Sequence, residues 1–113
     1  MEEREAIATA VPDGGQSLKI IAQTQDVRIV EYTLKPGVSH PWHRHSQVTD
    51  RIYCLEGLIG VEIRQPAQQY LLHPGESCEV PVGRVHHVGN PGTVTGRYLL
   101  VQVLGKYDYI RAD

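Results

Sequence analysis

The strongest constraint on this 113-residue chain is its punctuation: short alternating apolar runs, each cut off by glycine or proline. Val30, Tyr32 and Leu34 alternate with Glu31 and Thr33, while Ile59, Val61 and Ile63 alternate with Glu62 and Arg64. Cys78, Val80 and Val82 continue the habit. Side chains two apart share one face of an extended strand, so this is the period of half-buried β-structure. Further short strands are predicted at 18–21, 27–34, 52–64 (two strands joined near Glu56-Gly57), 70–72, 85–88 and 97–104. Pro36-Gly37, His73-Pro74-Gly75-Glu76 and Gly89-Asn90-Pro91-Gly92 supply turns between them. Apolar residues do not recur at three and four anywhere, so no amphipathic helix is expected. Turn signals at intervals of roughly eight to twelve residues point to an all-β sandwich or barrel.

The length suits a single domain, expected over residues 16–113, preceded by an arm over residues 1–15 that ends in Pro12-Asp13-Gly14-Gly15. A net charge of -2 and the lack of a Lys/Arg cluster argue against a nucleic-acid partner. No apolar run approaches the ~20 residues needed to span a bilayer, so no membrane partner is expected. The opening MEEREAIATA is acidic and lacks an apolar core of signal-peptide length, which leads to the expectation of a cytoplasmic protein. Cys54 and Cys78 are too few for a disulfide framework and are read as small buried hydrophobes.

Chemistry concentrates in residues 37–57, GVSHPWHRHSQVTDRIYCLEG. His43 and His45 project to one face of an extended chain, and Asp50 follows five residues later. Two imidazoles on one face with a carboxylate nearby make a plausible half of a metal site. Residues 75–90, GESCEVPVGRVHHVGN, offer the other half: His86 follows Gly83 by three residues, and Asn90 lies four further on.

At these spacings the chain resembles the cupin superfamily. Gly37, His43, His45, Asp50 and Gly57 fit the first cupin motif, and Gly75, Pro81, Gly83, His86 and Asn90 fit the second. The resemblance implies a double-stranded β-helix, a conical jelly roll of two sheets. It also implies that His43, His45, Asp50 and His86 converge on one divalent transition metal inside the barrel. Imidazole with carboxylate suits Fe, Mn, Ni, Zn or Co. One departure stands out: the acidic ligand usual in that family is glutamate, and Asp50 is one methylene shorter. A shifted metal, an intervening water and a three-histidine site are all compatible with that. As a second role, Asp50 is a candidate general base.

The remaining polar residues carry weaker expectations. Gln47, two beyond His45, is a candidate for the same face and thus for the pocket. Tyr98 and Gln102 join the pocket if their face of the last strand, rather than that of Leu99, Val101 and Val103, meets the metal. His40 reads as a loop histidine, His73 as a turn residue, and His87 as pointing away from the metal. Trp42 is expected to pack opposite His43, and Arg44, Arg51 and Arg84 to be solvated or ion-paired. Residues 97–104 are apolar on both faces, more than a small sandwich needs, so a homodimer is expected. The functional expectation is an Fe(II)- or Mn(II)-dependent dioxygenase-type enzyme acting on a small organic substrate. The alternatives are a non-catalytic cupin that binds or senses a small ligand, and a metal-dependent isomerase or lyase.

Overall fold

The computed structural model describes residues 10–11 and 15–112, so the expected arm over residues 1–15 lies for the most part outside the described residues. Eleven strands follow in order: β1 (Ala10–Val11), β2 (Gln16–Gln23), β3 (Val27–Leu34), β4 (His43–Arg44), β5 (Thr49–Glu56), β6 (Ile59–Ile63), β7 (Gln68–Leu72), β8 (Ser77–Val80), β9 (His86–Gly89), β10 (Gly96–Val103) and β11 (Ile110–Arg111). They form two antiparallel sheets, ordered β1-β2-β3-β10-β5-β8 and β11-β4-β9-β6-β7. From β5 to β6, from β8 to β9 and from β9 to β10 the chain passes from one sheet to the other. That winding is the double-stranded β-helix. No described helix is long and apolar enough to cross a membrane.

Alternation along the strands builds the core. Val30 and Leu34 of β3, Ile52 and Cys54 of β5, and Tyr98 and Leu100 of β10 are buried from one sheet. Ile59, Val61 and Ile63 of β6, Leu72 of β7 and Val88 of β9 meet them from the other. Strand β10 settles which of its faces is internal: Tyr98, Leu100 and Gln102 are buried, whereas Leu99, Val101 and Val103 are half-buried on the outer surface. Both cysteines are free thiols, Cys54 buried and Cys78 partly so.

Several local expectations are corrected. The alternation read through Val82 stops at Val80, because Pro81 has no N–H to donate to a ladder, and Val82 is left 47% exposed. Strand β7 begins at Gln68, two residues before the strand expected over 70–72. Strands β1, β4 and β11 were not anticipated; two residues are too short to show any period.

Gly57 turns β5 into β6 with φ at +73°, and a Cβ there would overlap the backbone oxygen of Thr95. Gly37 has a similar φ of +82° but open space where its Cβ would stand. Gly37→Ala should therefore cost only the left-handed backbone penalty, about 1 kcal/mol. Gly57→Ala adds a backbone clash and should cost about 3 kcal/mol or more. Urea unfolding of the two variants measures the difference.

Candidate metal centre

Pairing register brings the site together. Arg28, Gln102 and Asp50 sit side by side on β3, β10 and β5, in one row across the inner face of the six-stranded sheet. From the opposite sheet, β4 and β9 place His43 directly across from His86. His45 follows β4 by one residue. His43, His45, Asp50 and His86 are all buried, and each offers one ligand atom within 4.8 Å of the others, so the group could hold a metal ion.

The contacts of Asp50 have the spacing of ligands to one shared cation. Asp50 Oδ2 lies 2.9 Å from His86 Nε2 and 3.3 Å from His45 Nε2. Two ligands each about 2.0–2.2 Å from a shared ion, at tetrahedral or octahedral angles, stand roughly 3–3.5 Å apart. The short aspartate therefore reaches the histidines without an extra methylene.

The second nitrogen of each imidazole adds a stronger constraint. Nδ1 faces a backbone carbonyl in all three: Pro41 for His43 at 2.7 Å, Asp108 for His45 at 2.6 Å and Arg84 for His86 at 2.9 Å. A carbonyl only accepts, so each Nδ1 must donate, and a neutral ring then turns its Nε2 lone pair inward. For His45 and His86 that lone pair meets a carboxylate. Lone pair against lone pair at such distances is repulsive unless a positive charge stands between them, whether a proton on each ring or a shared metal cation.

Electrostatics follow the same division. Burial pushes His43 down to about 4, which keeps it neutral and ready to ligate at ordinary pH. Burial also lowers His45, but its bond to Asp50, the charge of Asp50 and the Asp108 carbonyl outweigh that and leave it raised. For Asp50, burial raises the carboxyl, yet the bonds to His45 and His86 hold it well below the usual carboxylate range.

Of the weaker candidates, Tyr98 and Gln102 line the cavity around these ligands. Gln102 Nε2 donates to Asp50 Oδ1 at 3.0 Å, and its Oε1 accepts from Arg28 at 2.8 Å. Gln47 does not join them. The chain bends at Ser46-Gln47, which breaks the two-residue alternation; Gln47 is exposed and its Oε1 accepts from the Lys106 N–H at 3.0 Å. His87 points outward, bonded to Glu62 at 2.6 Å and stacked under Trp42. Trp42 in turn carries Arg64 3.8 Å above its ring.

Sequence reasoning missed Arg28, His40 and the two tyrosines of the tail. Arg28 shares the parity of Val30, Tyr32 and Leu34, so a charge aligned with an apolar face was the available signal. His40, expected in an ordinary loop, lines the cavity and packs edge-on to Tyr32 at 4.5 Å. Residues 105–112 cross the barrel mouth as a strap. Tyr109 stacks on His43 at 4.4 Å, and Ala112 N–H donates to Trp42 O at 3.0 Å. Beneath this strap the cavity measures only about 30 Å³. A larger hollow of about 590 Å³ lies on the outer face of the other sheet, over Gly60 and Gly89, and touches none of the four ligand candidates. Donor chemistry, not size, marks the inner cavity as the site.

A two-sheet β-helix with three carbonyl-anchored histidines and a carboxylate in its interior defines a barrel of metal-binding type. Residues 30–102 match the family model described as "Cupin domain", and the chain belongs to that family. Among curated proteins it is similar to a mannose-1-phosphate guanylyltransferase of Sinorhizobium fredii, 28% identical over 103 residues; the match covers 88% of this chain and 19% of that protein. The chain thus spans about a fifth of that relative's length. Among solved structures, an uncharacterized conserved protein with a double-stranded β-helix domain from Klebsiella pneumoniae superposes with a TM-score of 0.80 at 18% identity, covering 96% of this chain and 93% of that one. The oxalate decarboxylase of Lactobacillus farciminis, in a formate complex, gives a TM-score of 0.80 at 17% identity, over 95% of this chain and 34% of that one.

Metal affinity should fall on acidification, because a protonated imidazole cannot ligate. The sign follows from the shifts: His45, raised, takes its proton before His43, which stays neutral down to about 4. Chelator competition between about pH 8 and about pH 5 should show weakening across that range. Asp50→Asn keeps the shape but removes the charge, and should weaken the metal about tenfold or more at either pH.

Proposed function

We propose that this cupin is a metal-dependent enzyme of dioxygenase type, using Fe(II) or Mn(II) on a small organic substrate. The observation that carries the reading is the set of three Nδ1-anchored histidines aiming Nε2 at one carboxylate. A bound divalent transition metal would supply Lewis acidity and, as iron or manganese, oxygen chemistry. Asp50, held below the usual carboxylate range, is a poor proton acceptor near neutrality, which favours ligation over the general-base role. Gln102 fixes the other Asp50 oxygen and so orients the carboxylate. Tyr98, Leu100 and Val88 add apolar surface to the cavity wall.

The decarboxylase and the K. pneumoniae protein share the fold, and a shared fold at such identity carries architecture rather than substrate. A second reading is capture of a small ligand without turnover; the cavity of about 30 Å³ admits only a very small guest beside a metal.

Metal analysis of protein purified without chelator tests the first step, and roughly one transition-metal ion per chain is the expected result. Protein free of metal would remove the enzyme reading. With metal bound, oxygen uptake with small carboxylate, enolic, phenolic and thiol substrates separates turnover from capture.

We also infer a homodimer, through the outer face of the six-stranded sheet. Ile29 of β3 and Leu99, Val101 and Val103 of β10 are only half-buried there. Arg97 and Glu31, an ion pair at its margin, provide a polar rim. Light scattering should give twice the 12.6 kDa chain mass; Val101→Glu should return the monomer with its metal content unchanged.

A further inference from the structure

Two groups beside the metal ligands have chemistry that the chain itself leaves unfinished. Arg28 is 9% exposed, yet its guanidinium meets only neutral partners: Gln102 Oε1 at 2.8 Å, the Tyr32 hydroxyl, and the face of the Tyr107 ring at 4.1 Å. Among the described residues no carboxylate pairs with it. A buried guanidinium without a counter-charge is costly unless something else supplies one. His40 Nε2 is buried and has no hydrogen-bond partner at all, the only such side-chain atom found among the described residues. Both residues line the same inner cavity as the four metal ligands. Buried polar atoms in folded proteins are nearly always paired, so an orphan on a cavity wall offers a hydrogen bond to whatever fills that cavity.

Charge points to the kind of guest. A divalent ion would bring two positive charges to a cavity that already holds Arg28, against the single negative charge of Asp50. The surplus calls for an anion. Arg28 also lies on a second hollow of about 510 Å³ outside the barrel, which it shares with Tyr107 and Lys106. No acidic side chain lines that hollow. Asp26 nearby is engaged with Thr24, whose hydroxyl donates to its carboxylate at 3.1 Å. Arg28 and Tyr107 are therefore the partition between a cationic vestibule and the metal chamber.

We propose that Arg28 and His40 form a subsite for a small carboxylate-bearing anion, which reaches the chamber past Tyr107 and presents its remaining oxygen to the metal. The proposal rests on the metal reading above and adds the substrate class. Arg28 offers a planar fork matched to a carboxylate, as a lysine ammonium would not. His40 contributes one hydrogen bond from its unpartnered Nε2. Neutral diols or phenols of equal size lack the charge that this wall requires.

The test uses cobalt-loaded full-length protein, with glycolate as the probe and ethylene glycol as its neutral counterpart, followed by calorimetry and the visible cobalt spectrum. Glycolate should bind and ethylene glycol should not. Arg28→Met should weaken glycolate about tenfold or more with cobalt content unchanged. His40→Phe keeps the ring packing on Tyr32; it should weaken glycolate several-fold while leaving the unfolding midpoint of the ligand-free protein equal or higher. Should Arg28→Met fail to fold, Arg28→Lys retains the charge but not the fork, and a several-fold loss is expected. Equal glycolate affinity in wild type and the folded Arg28 variant, or equal binding of ethylene glycol, overturns the subsite. Wild type that takes up no cobalt would instead sink the metal centre. Glycolate titrated into that metal-free protein then decides the subsite: heat that depends on Arg28 sustains it, and its absence overturns it.

Discussion

Three backbone carbonyls decide what the interior of this barrel can be. By accepting from Nδ1 of His43, His45 and His86, the oxygens of Pro41, Asp108 and Arg84 force every Nε2 lone pair inward. Asp50 meets two of those lone pairs at close range, so the arrangement is at rest only with positive charge at its centre. Much else is subordinate to that demand. The pairing of β4 with β9 sets His43 against His86, and the β5-β10-β3 register sets Asp50, Gln102 and Arg28 in one row. Site and core share the same inner faces, so the packing that stabilises the barrel also holds the ligands in place.

The fold was legible because its signals are local. Period-two alternation in β3 and β6, cut by glycine and proline, needs no knowledge of distant residues. The four ligand candidates were legible for a related reason: each motif keeps its residues close in sequence, and the extended backbone converts spacing into facing. Gln47 shows where this logic fails. It assumes a strand that continues, and the bend at Ser46-Gln47 turns the side chain to solvent. The same limit hid β4 and β11, which exist only because they pair with each other and with β9.

What could not be read locally were groups whose meaning is set by a partner far along the chain. Arg28 and Gln102 are 74 residues apart, and His45 and Asp108 are 63 apart. No window contains both members of either pair. His40 is similar: Pro41 gave its backbone shape, but only closure of the barrel against Tyr32 and Tyr98 shows that its ring is internal. Sequence therefore reached the candidate metal ligands more easily than the residues that would choose what binds beside them. In a fold shared by many chemistries, those neighbours carry the distinctions.

The strap of residues 105–112 links two properties usually treated as separate. It roofs the chamber with Tyr107 and Tyr109, and its Asp108 carbonyl fixes the tautomer of His45. The same Asp108 is tied down by its side chain, which accepts from the Ser46 N–H at 2.8 Å and from the Ser46 hydroxyl. Lifting the roof far enough to admit a guest would loosen the anchor of one metal ligand. Admission and metal retention would then be thermodynamically coupled, and the coupling would run both ways. An ion in the chamber would favour the shut door, and anything that wedged the door open would make the ion easier to lose.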